Sequence, residues 1–260
     1  MDFIEPTWYF PREERVTNKL PVVIGLPGFT HQSERTRIDT LLEKLVRLGI
    51  VGVRVNYPGI TLREEQGKVI ECKYSLAKYV EAVQKVKEEI RRWAGMDSTR
   101  IGILDSSIGA GIAGHWLARY KDFNPVCKVS ISPLAGWKWY GEQQTREVIV
   151  REKYDLLMPL TVRDKQNGLR KRYIPRDCLD EVVQTDAISA LHESSRMPSI
   201  PMFTVIGTND EQVSQEGMEI YHRVLAHPQT SEWKAWTCGH AIPEQRYEPT
   251  AIRFFRKHLL

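Results

Sequence analysis

Three residues far apart in the 260-residue chain have the types that acyl transfer needs: a hydroxyl nucleophile, an imidazole base and a carboxylate to hold the base. Ser107 stands in Asp105-Ser106-Ser107-Ile108-Gly109, between the apolar run Ile101–Leu104 and a helical stretch, Ile112–Tyr120. A strand, a sharp turn and a helix with serine at the apex lift Oγ clear of a sheet, at a helix N-terminus. Asp210 follows the apolar run Pro201–Gly207, and His240 follows Glu232–Thr237. A serine hydroxyl is a weak nucleophile at neutral pH, and an imidazole oriented by a carboxylate makes it competent by taking its proton. The chain order Ser107, Asp210, His240, each just past a strand, is the order expected for this turn type.

Each of these residues has a plainer use. The Ser106-Ser107 pair could cap the following helix, and Asp210 could cap the helical stretch that contains Met218, Ile220, Tyr221 and Val224. Glu211 is the nearest substitute acid and His31 the one rival base near the site; His115, within the helix after Ser107, reads as structural. The turn needs small residues two before and two after the nucleophile, where strand and helix approach closely. Gly109 meets the second requirement; Asp105 stands where glycine is usual and is expected to tilt the turn or place negative charge beside it. Gly109, Gly111 and Gly114 also fit G-x-G-x-x-G, but Lys128–Tyr140 holds no acid to bind a dinucleotide ribose. Tight contact of this helix with the sheet explains the glycines instead.

The elements that must position these residues alternate in type. Pro21–Leu26, Ile50–Asn56, Arg100–Asp105, Val126–Ser132, Pro201–Gly207 and Glu232–Thr237 read as strands, most of them continuous apolar runs buried on both faces. Between them Ile38, Leu41, Leu42 and Leu45 share one helical face, and Val80, Val83, Val86 and Ile90 share another. The order predicts an α/β fold with a mostly parallel, doubly wound sheet, whose ligands bind at the carboxyl ends of the strands. Residues 134–199 break the rhythm and read as an insertion into a core of residues 1–133 and 200–260. Within the insertion Leu160–Arg163 and Leu169–Ile174 read as a hairpin turned at Asn167-Gly168, and Leu179–Ser194 as one helix.

These features resemble the α/β-hydrolase superfamily of serine hydrolases over most of the chain from Pro21 onward. The loop Gly25-Leu-Pro-Gly28-Phe29-Thr30 is similar to that superfamily's oxyanion loop, with Pro27 in place of its histidine. The resemblance implies an α/β-hydrolase fold and an oxyanion hole formed by the backbone N–H groups of Phe29 and Ile108. The insertion resembles the short lid of bacterial cinnamoyl/feruloyl-type esterases. The run from Arg176 to Asp210 is similar to the acyl-carrier-protein thioesterase/transferase of bioluminescence systems. The implied activity is a carboxylesterase-like serine hydrolase working through an acyl-enzyme on a small-molecule ester, with no metal or organic cofactor. The alternatives are a thioesterase or acyltransferase acting on acyl-CoA or an acyl carrier protein, and a non-catalytic binding protein. Trp137, Trp139 and Tyr140 are candidates either for packing between lid and body or for lining the substrate pocket.

Composition is that of an ordinary globular protein, 42% hydrophobic and 27% charged, which excludes disorder, collagen and coiled coil. No apolar run approaches the roughly 18–20 residues of a membrane span. Acids at the N-terminus, where a secretory signal would be basic and apolar, point to the cytoplasm. The four cysteines are widely spaced and predict neither disulfides nor zinc. A net charge of +4 gives little support for nucleic-acid binding. The basic residues Arg163, Lys165, Arg170, Lys171, Arg172 and Arg176 suit either a solvated hairpin or docking of an acidic partner. The short N-terminal stretch predicts a sheet reduced at that end.

Overall fold

The computed structural model describes residues 5–11, 19–28, 36–57, 60–65, 68–72, 74–152, 156–164, 168–174, 178–195 and 198–260, with 60–65, 68–72, 156–164 and 168–174 described in backbone only. Seven strands form the main sheet: β1 (Thr7–Tyr9), β2 (Leu20–Leu26), β3 (Val51–Arg54), β6 (Met96–Ser106), β7 (Cys127–Ile131), β10 (Met202–Gly207) and β11 (Glu232–Trp236). Their spatial order is β1-β3-β2-β6-β7-β10-β11. Every neighbouring pair is parallel except β1 with β3, so the predicted doubly wound sheet is present, with one three-residue antiparallel strand at its N-terminal edge.

The central strands are largely apolar because both faces are covered, with Asp105 of β6 and Lys128 of β7 charged residues buried among them. Ile24, Ile103 and Met202 point to the face packed by α2 (Leu76–Arg92), α3 (Ile108–Arg119) and α7 (Gln215–Leu225). Val23, Leu104, Val129 and Phe203 point to the other face, under α1 (Arg37–Val46) and α8 (Glu244–Leu259). α3 is buried almost all round, which is why its sequence is apolar and small on every side rather than striped. No helix among the described residues is long and apolar enough to cross a membrane.

Between β7 and β10 the chain forms a short 3₁₀ turn, α4 (Gln143–Glu152), the antiparallel pair β8 (Leu156–Asp164) and β9 (Gly168–Ile174), α5 (Leu179–Val183) and α6 (Ala187–Glu193). The predicted hairpin is therefore present and longer than expected, while Asn167 and the basic side chains from 163 to 176 lie outside the described residues. A second hairpin, β4 (Ile60–Glu65) with β5 (Lys68–Cys72), was not legible in the sequence; its β5 lies against β9.

The single helix expected over 179–194 is two. At the break the Thr185 carbonyl accepts from Trp137 N–H at 2.8 Å, and the Asp186 side chain accepts from Ser189 N–H at 3.1 Å to start α6. An N-cap acid in mid-run competes for the backbone and ends the first helix.

Candidate active site

The turn between β6 and α3 holds Ser107 at φ 53° and ψ −126°, a region that disfavours any side chain but suits a serine lifted out of a sheet. Its backbone is tied down on both sides. Ser107 N–H donates to the Ile131 carbonyl of β7 at 3.1 Å, and the Ser107 carbonyl accepts from Ala110 N–H and Leu134 N–H at 3.0 Å. Gly109 has no room for a side chain, since a Cβ there would lie 2.2 Å from the Leu26 carbonyl oxygen. Gly28 passes directly over the Ser107 turn, where its own Cβ would lie 3.2 Å from Ser107 Cβ. Ile108 opens α3 with its side chain buried. The other expected oxyanion donor, Phe29, and the rival base His31 lie outside the described residues.

The expectation for the helix glycines needs correction. Only Gly109 meets the sheet. A Cβ at Gly111 would lie 3.0 Å from the Leu134 carbonyl oxygen, and one at Gly114 would lie 2.4 Å from Ala187 Cβ. These two glycines let the 134–199 segment, rather than the sheet, approach α3 closely. His115 serves the same junction, its Nε2 accepting from Asp186 N–H at 3.1 Å.

At the ends of β10 and β11, His240 Nδ1 and Asp210 Oδ2 are hydrogen-bonded at 2.8 Å. The Asp210 side chain is 1% exposed and that of His240 is 13% exposed, so the carboxylate is shielded and the ring keeps one edge open. Asp210 Oδ1 accepts from the backbone N–H groups of Gln212 and Val213, each at 2.9 Å. Asp210 is not the cap of α7, as its sequence position allowed; Ser214 caps that helix through Gly217 N–H at 3.2 Å. An imidazole whose Nδ1–H donates to a carboxylate presents Nε2 as a lone-pair acceptor. Glu211, the alternative acid, is exposed.

Ser132 was missed by sequence reasoning. It follows β7 at φ 45°, and its Oγ donates to the His240 carbonyl at 3.1 Å. Ile131 and Ser132 therefore hold the Ser107 turn and the His240 loop, respectively, at adjacent positions on one strand end. A serine closing an apolar run was the only sequence signal for it.

Lys128 was also missed. Asp105 and Lys128 are both 0% exposed, and Lys128 Nζ is in direct ionic contact with Asp105 Oδ2. Neither group has another hydrogen-bond partner among the described residues. Burial holds the lysine amine well below the usual lysine range. Asp105, two residues before Ser107, thus lies against a buried amine rather than standing alone beneath the turn. Removing one member of such a pair leaves a buried group uncompensated, at a cost of about 3–5 kcal/mol. The sequence signal was a lysine inside Val126–Ser132, a run otherwise apolar or small.

Trp137 and Tyr140 are each 8% exposed and stack at 5.3 Å and 10°. Trp139 covers Gly217 of α7, where a Cβ would lie 2.5 Å from the indole. The same stretch is stapled to the loop carrying Asp210: Gly141 N–H donates to Gln212 O at 2.8 Å and Ser214 N–H to Trp139 O at 2.9 Å. All three aromatics therefore pack, and they do so beside the acid. Cys127, Cys178 and Cys238 are free thiols.

The sheet order, the covering helices and the turn after β6 are those of the α/β-hydrolase fold, and comparison with solved structures agrees. The chain is similar to Est1E from Butyrivibrio proteoclasticus, solved with ferulic acid bound, at 15% identity and a TM-score of 0.64 over 98% of this chain and 94% of that one. It is similar to the monoacylglycerol lipase of Paleococcus ferrophilus at 15% identity and a TM-score of 0.67, covering 98% of this chain and 100% of that one. It is also similar to the α/β hydrolase GrgF from Penicillium sp. sh18, at 11% identity and a TM-score of 0.68, with 98% of each chain covered. No protein-family profile matches the chain, and no curated protein matches it.

Proposed function

We propose that this protein is a carboxylesterase-like serine hydrolase that cleaves a carboxylic ester through an acyl-enzyme. The observation that carries the reading is a serine held at φ 53° between β6 and α3, on the same sheet end as a histidine–aspartate hydrogen bond of 2.8 Å. In the reading, Ser107 Oγ attacks the ester carbonyl carbon while His240 Nε2 takes its proton. The backbone N–H groups of Phe29 and Ile108 hold the developing oxyanion, an interaction worth about 3–4 kcal/mol for a strong donor. The C–O bond to the alcohol breaks and His240 returns the proton to the leaving oxygen. Water then attacks the acyl-serine, gives a proton to His240, and the acid departs as Ser107 recovers its hydrogen. Asp210 keeps Nδ1 protonated throughout and stabilises the imidazolium.

Residues 134–199 act as the lid in this reading, and Trp137, Trp139 and Tyr140 form the wall of the substrate pocket nearest Asp210. Support for an ester substrate comes from the fold shared with Est1E, solved with ferulic acid, and with a monoacylglycerol lipase.

The test is intact-mass analysis after treatment with a fluorophosphonate probe, with hydrolysis of p-nitrophenyl esters and of acyl-CoA thioesters measured in parallel. One adduct on the wild type, none on Ser107→Ala, and faster turnover of esters than of thioesters is the expected result. A preference for thioesters would move the reading to a thioesterase. A folded wild type that takes up no probe would leave a binding protein and end the catalytic reading.

A further inference from the structure

We propose that Lys128 is a positioning residue for the nucleophile turn, neutralising Asp105 and linking the strand before Ser107 to the helix after it. The proposal rests on the reading of Ser107 as nucleophile. The parallel register sets Asp105 opposite Ser130 and Lys128 opposite Ile103, so the two side chains leave the sheet on the same face, diagonal to one another across β6 and β7. α3 and α7 cover that face. Lys128 Nζ contacts the Asp105 carboxylate and lies 5.5 Å from the centroid of the Tyr221 ring on α7. The buried Tyr221 hydroxyl donates to the Ala110 carbonyl at 2.7 Å.

Asp105 precedes Ser107 by two residues and Ala110 follows it by three, so this one chain of contacts reaches both flanks of the strained turn. A buried ion pair adds little net stability over apolar residues of the same volume. What it changes is the charge beneath the turn. A lone carboxylate there would oppose the negative charge that develops on a substrate oxygen held by the α3 N-terminus.

Among the described residues, Asp105 meets Lys128 from β7, and Lys128 in turn faces the ring of Tyr221 from α7. His222, next along α7, is turned to Thr204 on β10 at 2.8 Å, and β2 presents Leu26 opposite Asp105. α3 contributes apolar and small residues in its first two turns. Lys128 is therefore the basic side chain in contact with Asp105 among the described residues, and removing it leaves the carboxyl without its ionic partner.

The experiment is the rate of fluorophosphonate addition to Ser107, read by intact mass from pH 5 to pH 9, for wild type, Lys128→Met and the double variant Asp105→Asn/Lys128→Met. Methionine keeps most of the lysine stem without its charge. In Lys128→Met the rate is expected to fall by about tenfold or more as pH rises and Asp105 ionises. The double variant, with no carboxylate to ionise, is expected to regain the wild-type pH profile within about threefold in rate. A merely structural lysine would give no pH-dependent limb and no repair by the second substitution. Lys128→Met matching the wild type at every pH, or a folded double variant that stays slow, overturns the proposal. Should Lys128→Met fail to fold, the double variant decides alone: a folded protein with the wild-type profile supports the proposal, and an unfolded or slow one overturns it. A wild type without an adduct on Ser107 removes the nucleophile reading itself, and this proposal with it.

Discussion

Replacing Asp210 by asparagine separates the chemistry of the site from its architecture. The Asp210 carboxylate does two things with two oxygens: Oδ1 accepts from Gln212 and Val213 N–H at 2.9 Å each, and Oδ2 meets His240 Nδ1 at 2.8 Å. Asparagine keeps one oxygen, which can still accept both backbone donors. Its amide NH₂ then faces Nδ1, so the ring must accept there and carry its proton on Nε2. That tautomer has no lone pair to take the Ser107 proton. The expected loss in kcat is about 10⁴-fold, the size seen when an imidazole is locked in the wrong tautomer, or about 5.5 kcal/mol of barrier. Stability should fall by only about 1 kcal/mol, because a charge-assisted bond becomes a neutral one and no buried donor is orphaned.

Asp210→Ala should differ in kind. It leaves Gln212 and Val213 N–H without their acceptor, and should lose about 2–3 kcal/mol of stability besides the activity. The assay is kcat for p-nitrophenyl acetate beside a denaturant melt of wild type and both variants. An Asp210→Asn protein within tenfold of wild-type kcat would refute the assignment of Asp210 as the group that orients His240.

Three further outcomes follow from the same geometry. Ser107→Gly should abolish turnover yet raise stability by about 1 kcal/mol, because glycine occupies φ 53° without strain; a thermal melt two to four degrees higher, as roughly expected for that gain, checks it. Gly109→Ala should destabilise by about 1–3 kcal/mol and slow Ser107 labelling, since its Cβ would lie 2.2 Å from a backbone oxygen of β2 and outweighs the better helix propensity of alanine. His222 is pushed down to about 4 by burial, with Nδ1 bonded to Thr204 Oγ1 at 2.8 Å. Its folded value lies below the unfolded one, so its contribution is full above about pH 6.5 and is lost as pH falls toward 4. Allowing for partial exposure of the ring, wild type should lose about 2 kcal/mol more than His222→Asn over that window, measured by urea melts.

What could be read without coordinates was local in origin. A period-2 or apolar run declares a strand, a 3.6-residue stripe declares a helix, and the Ser107 turn sits where one changes into the other. The six strands of the parallel order, α1, α2 and the hairpin backbone of β8 and β9 were therefore visible, as was the order of Ser107, Asp210 and His240. The β4–β5 hairpin was not, because Ile60–Glu65 ends in charged residues and carries no tight-turn dipeptide. The break at Thr185-Asp186 was not, because its carbonyl partner Trp137 lies on another segment.

Sequence alone determined the kind of sheet and the strand ends at which Ser107, Asp210 and His240 stand, since propensity, apolar periodicity and turn chemistry act over a few residues. Tertiary structure decided the electrostatics beneath them. Nothing within a few residues of Asp105 announces Lys128; only the register of β6 against β7 brings a buried carboxylate and a buried amine together. The same holds for Gly111 and Gly114, whose small size is explained by the approach of Leu134 and Ala187 rather than by the sheet. Interactions of that kind depend on which surfaces meet after the chain has folded back on itself, and no local pattern encodes the meeting.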